Sequence, residues 1–267
     1  MPIIHIITKK IYYNITVRSK GAVLKRLLIK QMYSSMNKSK YRYLLADLDN
    51  TLLDFSSSER ISLSRVLTVF GVEPDDRILD AYSSFNDSLW KKLEKGLLTR
   101  EQLIATRFVE FFREYGIDAD GTKAAPMYEK NLSESVVFID GAIELLRRCR
   151  GEISVYIISN GTARVQLPRL AASGIDVMTD GYFISELVGH TKPEPAFFDA
   201  VAEGIPGFDR SSALILGDSL TADISGGVSY GIDTCLFDPH GKYDASSQIK
   251  PDMRISELSE LCDILKI

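Results

Sequence analysis

The chain has 267 residues, 45% apolar and 25% charged, a length and composition ordinary for a globular protein of one large domain or two smaller ones. A net charge of −4 leaves no electrostatic footprint for nucleic acid, and no apolar run reaches the roughly 18 residues that a membrane span needs. Three cysteines without a CxxC pair and only three histidines argue against a disulfide framework or a zinc site, so any metal must be held mainly by oxygen and the expected setting is reducing and cytoplasmic.

The charge is uneven along the chain. Nine Lys and Arg precede residue 41, whereas the first acidic residue is Asp47. Residues 1–35 thus form a basic N-terminal extension. Their apolar start precedes the charges, the reverse of a secretory signal, and they are richer in Lys than a transit peptide. The reading favoured is an over-long start, with Met32 or Met36 as initiator; a transit peptide or a disordered tail is the alternative. Without this segment 25 basic residues face 36 acidic ones, a balance that suits an enzyme of small molecules.

From Tyr41 onward short β-rich runs alternate with helical patterns, the signature of a parallel sheet with helices on both faces. The expected strands are Tyr43–Ala46, Ile153–Ile158, Tyr182–Ile184, Ala213–Leu216 and Thr234–Phe237. Between the first two, residues 55–135 lack strand-like runs. Ile61, Val66, Val69 and Phe70 suit one helix, and Ile78, Tyr82, Phe85, Leu89 and Leu93 a second. Leu103, Phe108, Phe111 and Phe112 suit a third, opened by Thr99 with Gln102 as a capping box, and Met127 and Leu132 mark a fourth. The expected organisation is a core of residues 36–54 and 136–267 interrupted by an all-helical insertion at 55–135. A helix over Gly141–Arg150 resumes the core, and one over Leu258–Leu265 ends it.

Three strands end in polar residues: Asp47 after the first, Ser159-Asn160 after the second, Gly217-Asp218 after the fourth. In open α/β sheets ligands bind at the carboxyl ends of strands, so these endings should converge on one crevice. Asp47 and Asp49 stand two apart, so one carboxylate can attack phosphorus while the other handles protons. Ser159 and Asn160 offer a hydroxyl, an amide and main-chain N–H groups for phosphate oxygens, and Lys192, ahead of Pro193 and Pro195 at a helix start, offers a point charge. Asp218 and Asp223 supply the further carboxylates that magnesium requires. Each motif taken alone also reads as a turn, a surface lysine or an early-helix acid.

Together, Asp47-Leu48-Asp49-Asn50-Thr51-Leu52, Ser159-Asn160-Gly161, Lys192-Pro193 and Gly217-Asp218 with Asp223 resemble the four ordered motifs of the haloacid dehalogenase-like (HAD) hydrolase superfamily. The resemblance covers about residues 41–266. It implies a Rossmann-like core with a helical cap, Asp47 as nucleophile and Asp49 as acid/base. It also implies Mg2+ held by Asp47, the Asp49 carbonyl and Asp218 with Asp223 supporting, and phosphate held by Thr51, Ser159, Asn160 and Lys192. Dehalogenases lack the second aspartate of the first motif, so Asp49 points to phosphatase chemistry. Within the superfamily, Asn86-Asp87-Ser88-Leu89-Trp90 with Lys95-Gly96 and Thr99 is similar to pyrimidine 5′-nucleotidases, making Asn86 and Trp90 candidate substrate contacts in the cap. The partner is then a small phosphomonoester, expected to be a nucleoside 5′-monophosphate, on a monomer or homodimer. A phosphoglycolate or sugar-phosphate phosphatase is the alternative, a phosphomutase a lesser one. Pro168 departs from the family's uninterrupted helix after the second motif; it should kink or delay that helix without touching the site.

Overall fold

The computed structural model describes residues 39–267, so the basic extension at 1–35 and the initiator choice between Met32 and Met36 lie outside the described residues. β1 (Tyr43–Ala46) is followed by four helices: α1 (Phe55–Val69), α2 (Asp76–Glu94), α3 (Arg100–Glu114) and α4 (Gly121–Ser133). Next come α5 (Ala142–Cys149), β2 (Ser154–Ser159), α6 (Ala163–Ser173), α7 (Ile175–Met178), β3 (Gly181–Ile184), α8 (Ser185–Val188) and α9 (Pro195–Gly204). The chain finishes through β4 (Ala213–Gly217), a π-helical turn at Leu220–Ile224, α10 (Ser225–Tyr230), β5 (Asp233–Phe237), β6 (Met253–Ile255) and α11 (Leu258–Leu265).

All six strands run parallel in the order β3-β2-β1-β4-β5-β6. This is a Rossmann-like α/β sheet. Side chains alternate across it, as the two-residue period of a strand requires. Leu44 and Ala46 join Val155, Ile157, Leu214 and Leu216 under α5, α6 and α11, whereas Tyr43 and Leu45 join Ile158 and Ile215 under α9 and α10. Both faces are covered, which is why β1 and β4 are apolar throughout. The five expected strands are present to within one residue at each end. β6 was not expected, because three residues including Arg254 carry too little pattern to mark an edge strand.

The four helices after β1 enclose their own apolar cluster, built on Leu63, Val66, Tyr82, Phe108, Phe111 and Tyr128, and Val165 of α6 joins it. α3 opens with the expected capping box, Thr99 and Gln102 bonding reciprocally. On α1 the expected Val66 is buried in this cluster and Phe70 packs against it, but the other two expected residues are corrected. Ile61 and Val69 are exposed, and the inner stripe is Ser58, Glu59, Ser62, Leu63, Val66 and Leu67. Ser58 and Ser62 can stand there because each hydroxyl donates to the carbonyl four residues back, Asp54 O at 2.9 Å and Ser58 O at 2.7 Å. Entry to and exit from the helical block run side by side: Asp54 N–H donates to Val137 O at 2.8 Å and Ile139 N–H to Leu52 O at 3.0 Å. No helix among the described residues is long and apolar enough to cross a membrane.

Candidate active site

The sequence order of the strands departs outward from β1 through β2 to β3, then returns to β4 on the other flank of β1. Such a switch point leaves a crevice at the carboxyl ends. The register sets its floor level: Ala46 pairs with Ile157 on β2 and Leu216 on β4, and Asp47 N–H donates to Leu216 O at 2.8 Å. Asp47 is therefore level with Ile158 and Gly217, and Ser159 and Asp218 emerge one residue beyond it, all three lining a cavity of about 730 Å³.

Lys192 lies at the centre. It is 1% exposed, and its Nζ donates to Asp47 Oδ1 at 2.7 Å, Asp223 Oδ1 at 2.7 Å and Ile158 O at 2.9 Å. Three acceptors satisfy the three donors of an ammonium. Burial opposes its charge, but Asp223 and Asp47 outweigh burial and hold Lys192 protonated well above the usual lysine value. For Asp47 burial wins: the carboxyl is pushed up to about 7, Lys192 working against the rise and Asp223 and Asp49 adding to it. Burial and then the charges of Asp47 and Asp223 raise Asp218 as well. Carboxylate oxygens of Asp47, Asp218 and Asp223 come within 4.8 Å of one another. Three converging carboxylates with no histidine or cysteine among them are a hard-oxygen donor set that fits a magnesium ion.

Asp223 reaches this position because the π-helical turn brings it back over β4, where Ser219 N–H donates to its Oδ2 at 3.1 Å. A Cβ at Gly217 would sit 2.2 Å from that oxygen, so only glycine can precede Asp218 here. In the first loop Asn50 takes φ 58°, a left-handed conformation that asparagine tolerates, and its Oδ1 accepts from Ser56 N–H at 3.0 Å.

Of the expected phosphate contacts, Thr51 is turned away from the cavity and Asn160 lines it with its side-chain amide already engaged. Thr51 is fully buried, is not among the residues lining the cavity, and its Oγ1 has no partner among the described residues. The tight loop around Asn50 turns it inward, so direct phosphate contact by Thr51 is corrected. Asn160 lines the cavity but spends its amide on Lys192: Oδ1 accepts from Lys192 N–H at 2.8 Å and Nδ2 donates to Lys192 O at 2.9 Å. Ser159 Oγ accepts from Gly161 N–H at 3.1 Å and from Gln166 Nε2 at 2.8 Å, leaving its own proton to give.

A sequence profile of the haloacid dehalogenase-like hydrolases matches residues 41–231. This chain belongs to that family. The HAD-hydrolase YfnB of Bacillus subtilis is 37% identical over 228 residues, spanning 85% of this chain and 97% of that protein. A crystal structure of YfnB bound to magnesium, described as revealing interdomain movement, superposes with a TM-score of 0.80 over 85% of this chain and 99% of that one. The pyrimidine 5′-nucleotidase PynA of Streptococcus pneumoniae is 35% identical over 84% of this chain and 95% of its own length; the pyrimidine 5′-nucleotidase YjjG of Escherichia coli is 30% identical over 85% and 98%.

Several residues of this HAD hydrolase's site escape motif reading. Gln166 Nε2 donates to Asp49 Oδ2 at 2.5 Å, and Arg169 Nη1 pairs with Asp49 Oδ1 and donates to Gln166 Oε1 at 2.9 Å. Both stand on α6, one turn apart. Pro168 lies between them. The helix nevertheless starts at Ala163 and continues through the proline to Ser173, so the expected delayed start is corrected, and the segment bears on the site after all. Opposite the sheet, Asn86 and Trp90 line the cavity with Glu59, Arg107 and Tyr128. Glu59, Asn86 and Arg107 are all buried on the inner stripes of α1, α2 and α3. A polar residue at an apolar-stripe position, as Arg107 is between Leu103 and Phe111, was the available signal.

Proposed function

We propose that this chain is a magnesium-dependent phosphatase that hydrolyses a small phosphomonoester through an aspartyl-phosphate on Asp47, with a nucleoside 5′-monophosphate as substrate. The observation carrying this reading is the pair of carboxylates at one cavity floor, Asp47 on Lys192 and Asp49 on Gln166 and Arg169. An Asp47 oxygen attacks phosphorus, the P–O bond to the leaving group breaks, and Asp49 protonates the departing oxygen. Asp49 then takes a proton from water, which attacks the same phosphorus and returns Asp47 with release of phosphate. Ser159 donates its hydroxyl proton to a phosphoryl oxygen, and Lys192 neutralises charge beside Asp47 as the phosphoryl group transfers. Asn160 acts by fixing the main chain of Lys192. Asp47, Asp218 and the Asp49 carbonyl would hold Mg2+, with Asp223 supporting, and the ion would supply charge neutralisation at the phosphoryl oxygens.

Residues 55–135 act as a cap that excludes water, the chain crossing at Leu52–Asp54 and 137–139 serving as hinge. The names of PynA and YjjG support a pyrimidine nucleotide as substrate. Three buried, unpaired cysteines support a reducing, cytoplasmic setting. The test is release of phosphate from nucleoside monophosphates, sugar phosphates and phosphoglycolate with and without Mg2+. Asp47→Asn should lower turnover at least ~10³-fold; a variant with full turnover would remove the nucleophile from this scheme.

A further inference from the structure

The helical wall of the cavity carries charge where a cap core would be apolar. Glu59 is 2% exposed, Asn86 2% and Arg107 4%, and all three line the cavity. Were this a structural ion pair, Glu59 and Arg107 would meet directly. Instead Asn86 stands between them, its Nδ2 donating to Glu59 Oε1 at 2.8 Å and its Oδ1 accepting from Arg107 Nη1 at 3.2 Å. Arg107 Nε is buried without a partner among the described residues. Its guanidinium is held 4.8 Å over the Tyr128 ring, which fixes the plane of its fork. Glu59 Oε1 accepts also from Tyr128 O–H at 3.4 Å, so it is the Arg107 Nε–H that stands unsatisfied, and a buried N–H at a cavity wall is costly unless a ligand completes it.

We propose that Glu59 and Arg107, oriented by Asn86, read the ring edge of a pyrimidine base, Arg107 donating to a ring carbonyl oxygen and Glu59 accepting from a ring or exocyclic N–H. Uracil, thymine and cytosine each offer at least one acceptor and one N–H donor on that edge, and Arg supplies only donors while an ionised Glu supplies only acceptors. The proposal rests on the nucleotidase reading above and deepens it: Asn86 becomes a positioning residue, and Trp90 and Phe55, which line the same cavity, offer apolar surface to the ring face. A sugar phosphate has neither the flat face nor the edge.

The decisive measurement is the ratio of kcat/KM for uridine 5′-monophosphate to that for ribose 5-phosphate, in the magnesium-loaded full chain. Arg107→Met and Glu59→Gln should each reduce this ratio by about 10–100-fold, as expected where a hydrogen bond to a charged group selects a substrate. Arg107→Lys, which keeps charge but loses the planar fork, should lie between. An unchanged ratio, or equal loss on both substrates in all three variants, overturns the proposal. Calorimetric titration of both phosphates into the same proteins separates this from the catalytic reading. If wild type turns over neither compound, the phosphatase assignment fails, while tighter binding of the nucleotide that disappears in Arg107→Met still upholds the cap assignment and equal binding overturns it.

Discussion

On the sheet side of the cavity the polar groups hang from strand ends, where the loops are free to turn carboxylates and hydroxyls toward the crevice. On the helical side they stand in mid-helix, at positions that would otherwise complete an apolar stripe. The first wall is dominated by one cation among several carboxylates: Lys192 touches Asp47 and Asp223, and burial lifts Asp47 and Asp218 above their ordinary values. The second spreads its charges apart with Asn86 between them. The sheet wall thus concentrates charge and the helical wall spreads it around a directional edge, the division that the proposed nucleoside monophosphate substrate would present.

The comparison is broken most forcefully at Lys192. Lys192→Met removes the shared donor and leaves two buried carboxylates facing each other, so the protein should lose about 3–5 kcal/mol of stability, measured by denaturant unfolding without metal. Added Mg2+ should restore part of it. A loss below about 1 kcal/mol would mean that the carboxylates are far better solvated than their burial implies.

The electrostatic strain at Asp47 gives the next effect. The native carboxyl, raised to about 7, holds its proton more tightly than the unfolded chain does at 3.8. Its contribution to stability is therefore present below pH 3.8 and is lost as pH rises through about 7. Asp47→Asn cannot ionise, so in chelator-treated protein it should exceed wild type in melting temperature above pH 7, by on the order of 2–4 kcal/mol in stability, with the gap closing toward pH 4. A gap independent of pH would sink this account. Next in size is Gly217→Ala, whose Cβ would lie 2.2 Å from Asp223 Oδ2 and must push that carboxylate aside, at about 1–3 kcal/mol and with weakened Mg2+ affinity by titration; unchanged affinity would exclude Asp223 from supporting the metal.

The same contrast explains what could be read before any coordinates. Strand ends are announced by apolar runs that stop abruptly, so Asp47, Ser159 and Asp218 were placed at one crevice from spacing alone, and the sheet follows because β1 and β4 are too apolar to be anything but buried on both faces. For Thr51, which only the family resemblance links to phosphate, and for the Asn160 amide, residue type is visible in the sequence but direction is not: the loop turns Thr51 inward and Lys192 takes the Asn160 side chain. Glu59 and Arg107 were invisible for a different reason. On α1 Val66 packs into the helical core, but Ile61 and Val69 face outward while Ser58, Glu59 and Ser62 face in, so apolar periodicity misses the part of the inner face that borders a polar cavity.

Arg169 links the two walls, and it yields the smallest but sharpest effect. It rises from the sheet side on α6, is fully buried, donates to Ser135 O at 3.4 Å, lies 5.9 Å from the Phe55 ring at the start of the helical block, and pairs with Asp49. Arg169→Met keeps the volume and stem packing while removing one of the two groups that hold Asp49. If Asp49 supplies the leaving-group proton, the loss should depend on how much that proton is needed. A nucleoside leaves its 5′-monophosphate as an alkoxide unless its 5′ oxygen is protonated, so kcat on that substrate should fall about 10–100-fold. From p-nitrophenyl phosphate the stabilised p-nitrophenolate departs without needing that proton, so kcat on it should fall several-fold less. Gln166 would still hold Asp49 Oδ2, which keeps the effect short of complete loss. Equal falls on both substrates would assign Arg169 to packing between the two walls, and a change confined to KM would move it to substrate binding; only a leaving-group-dependent fall in kcat makes it the residue that aims Asp49.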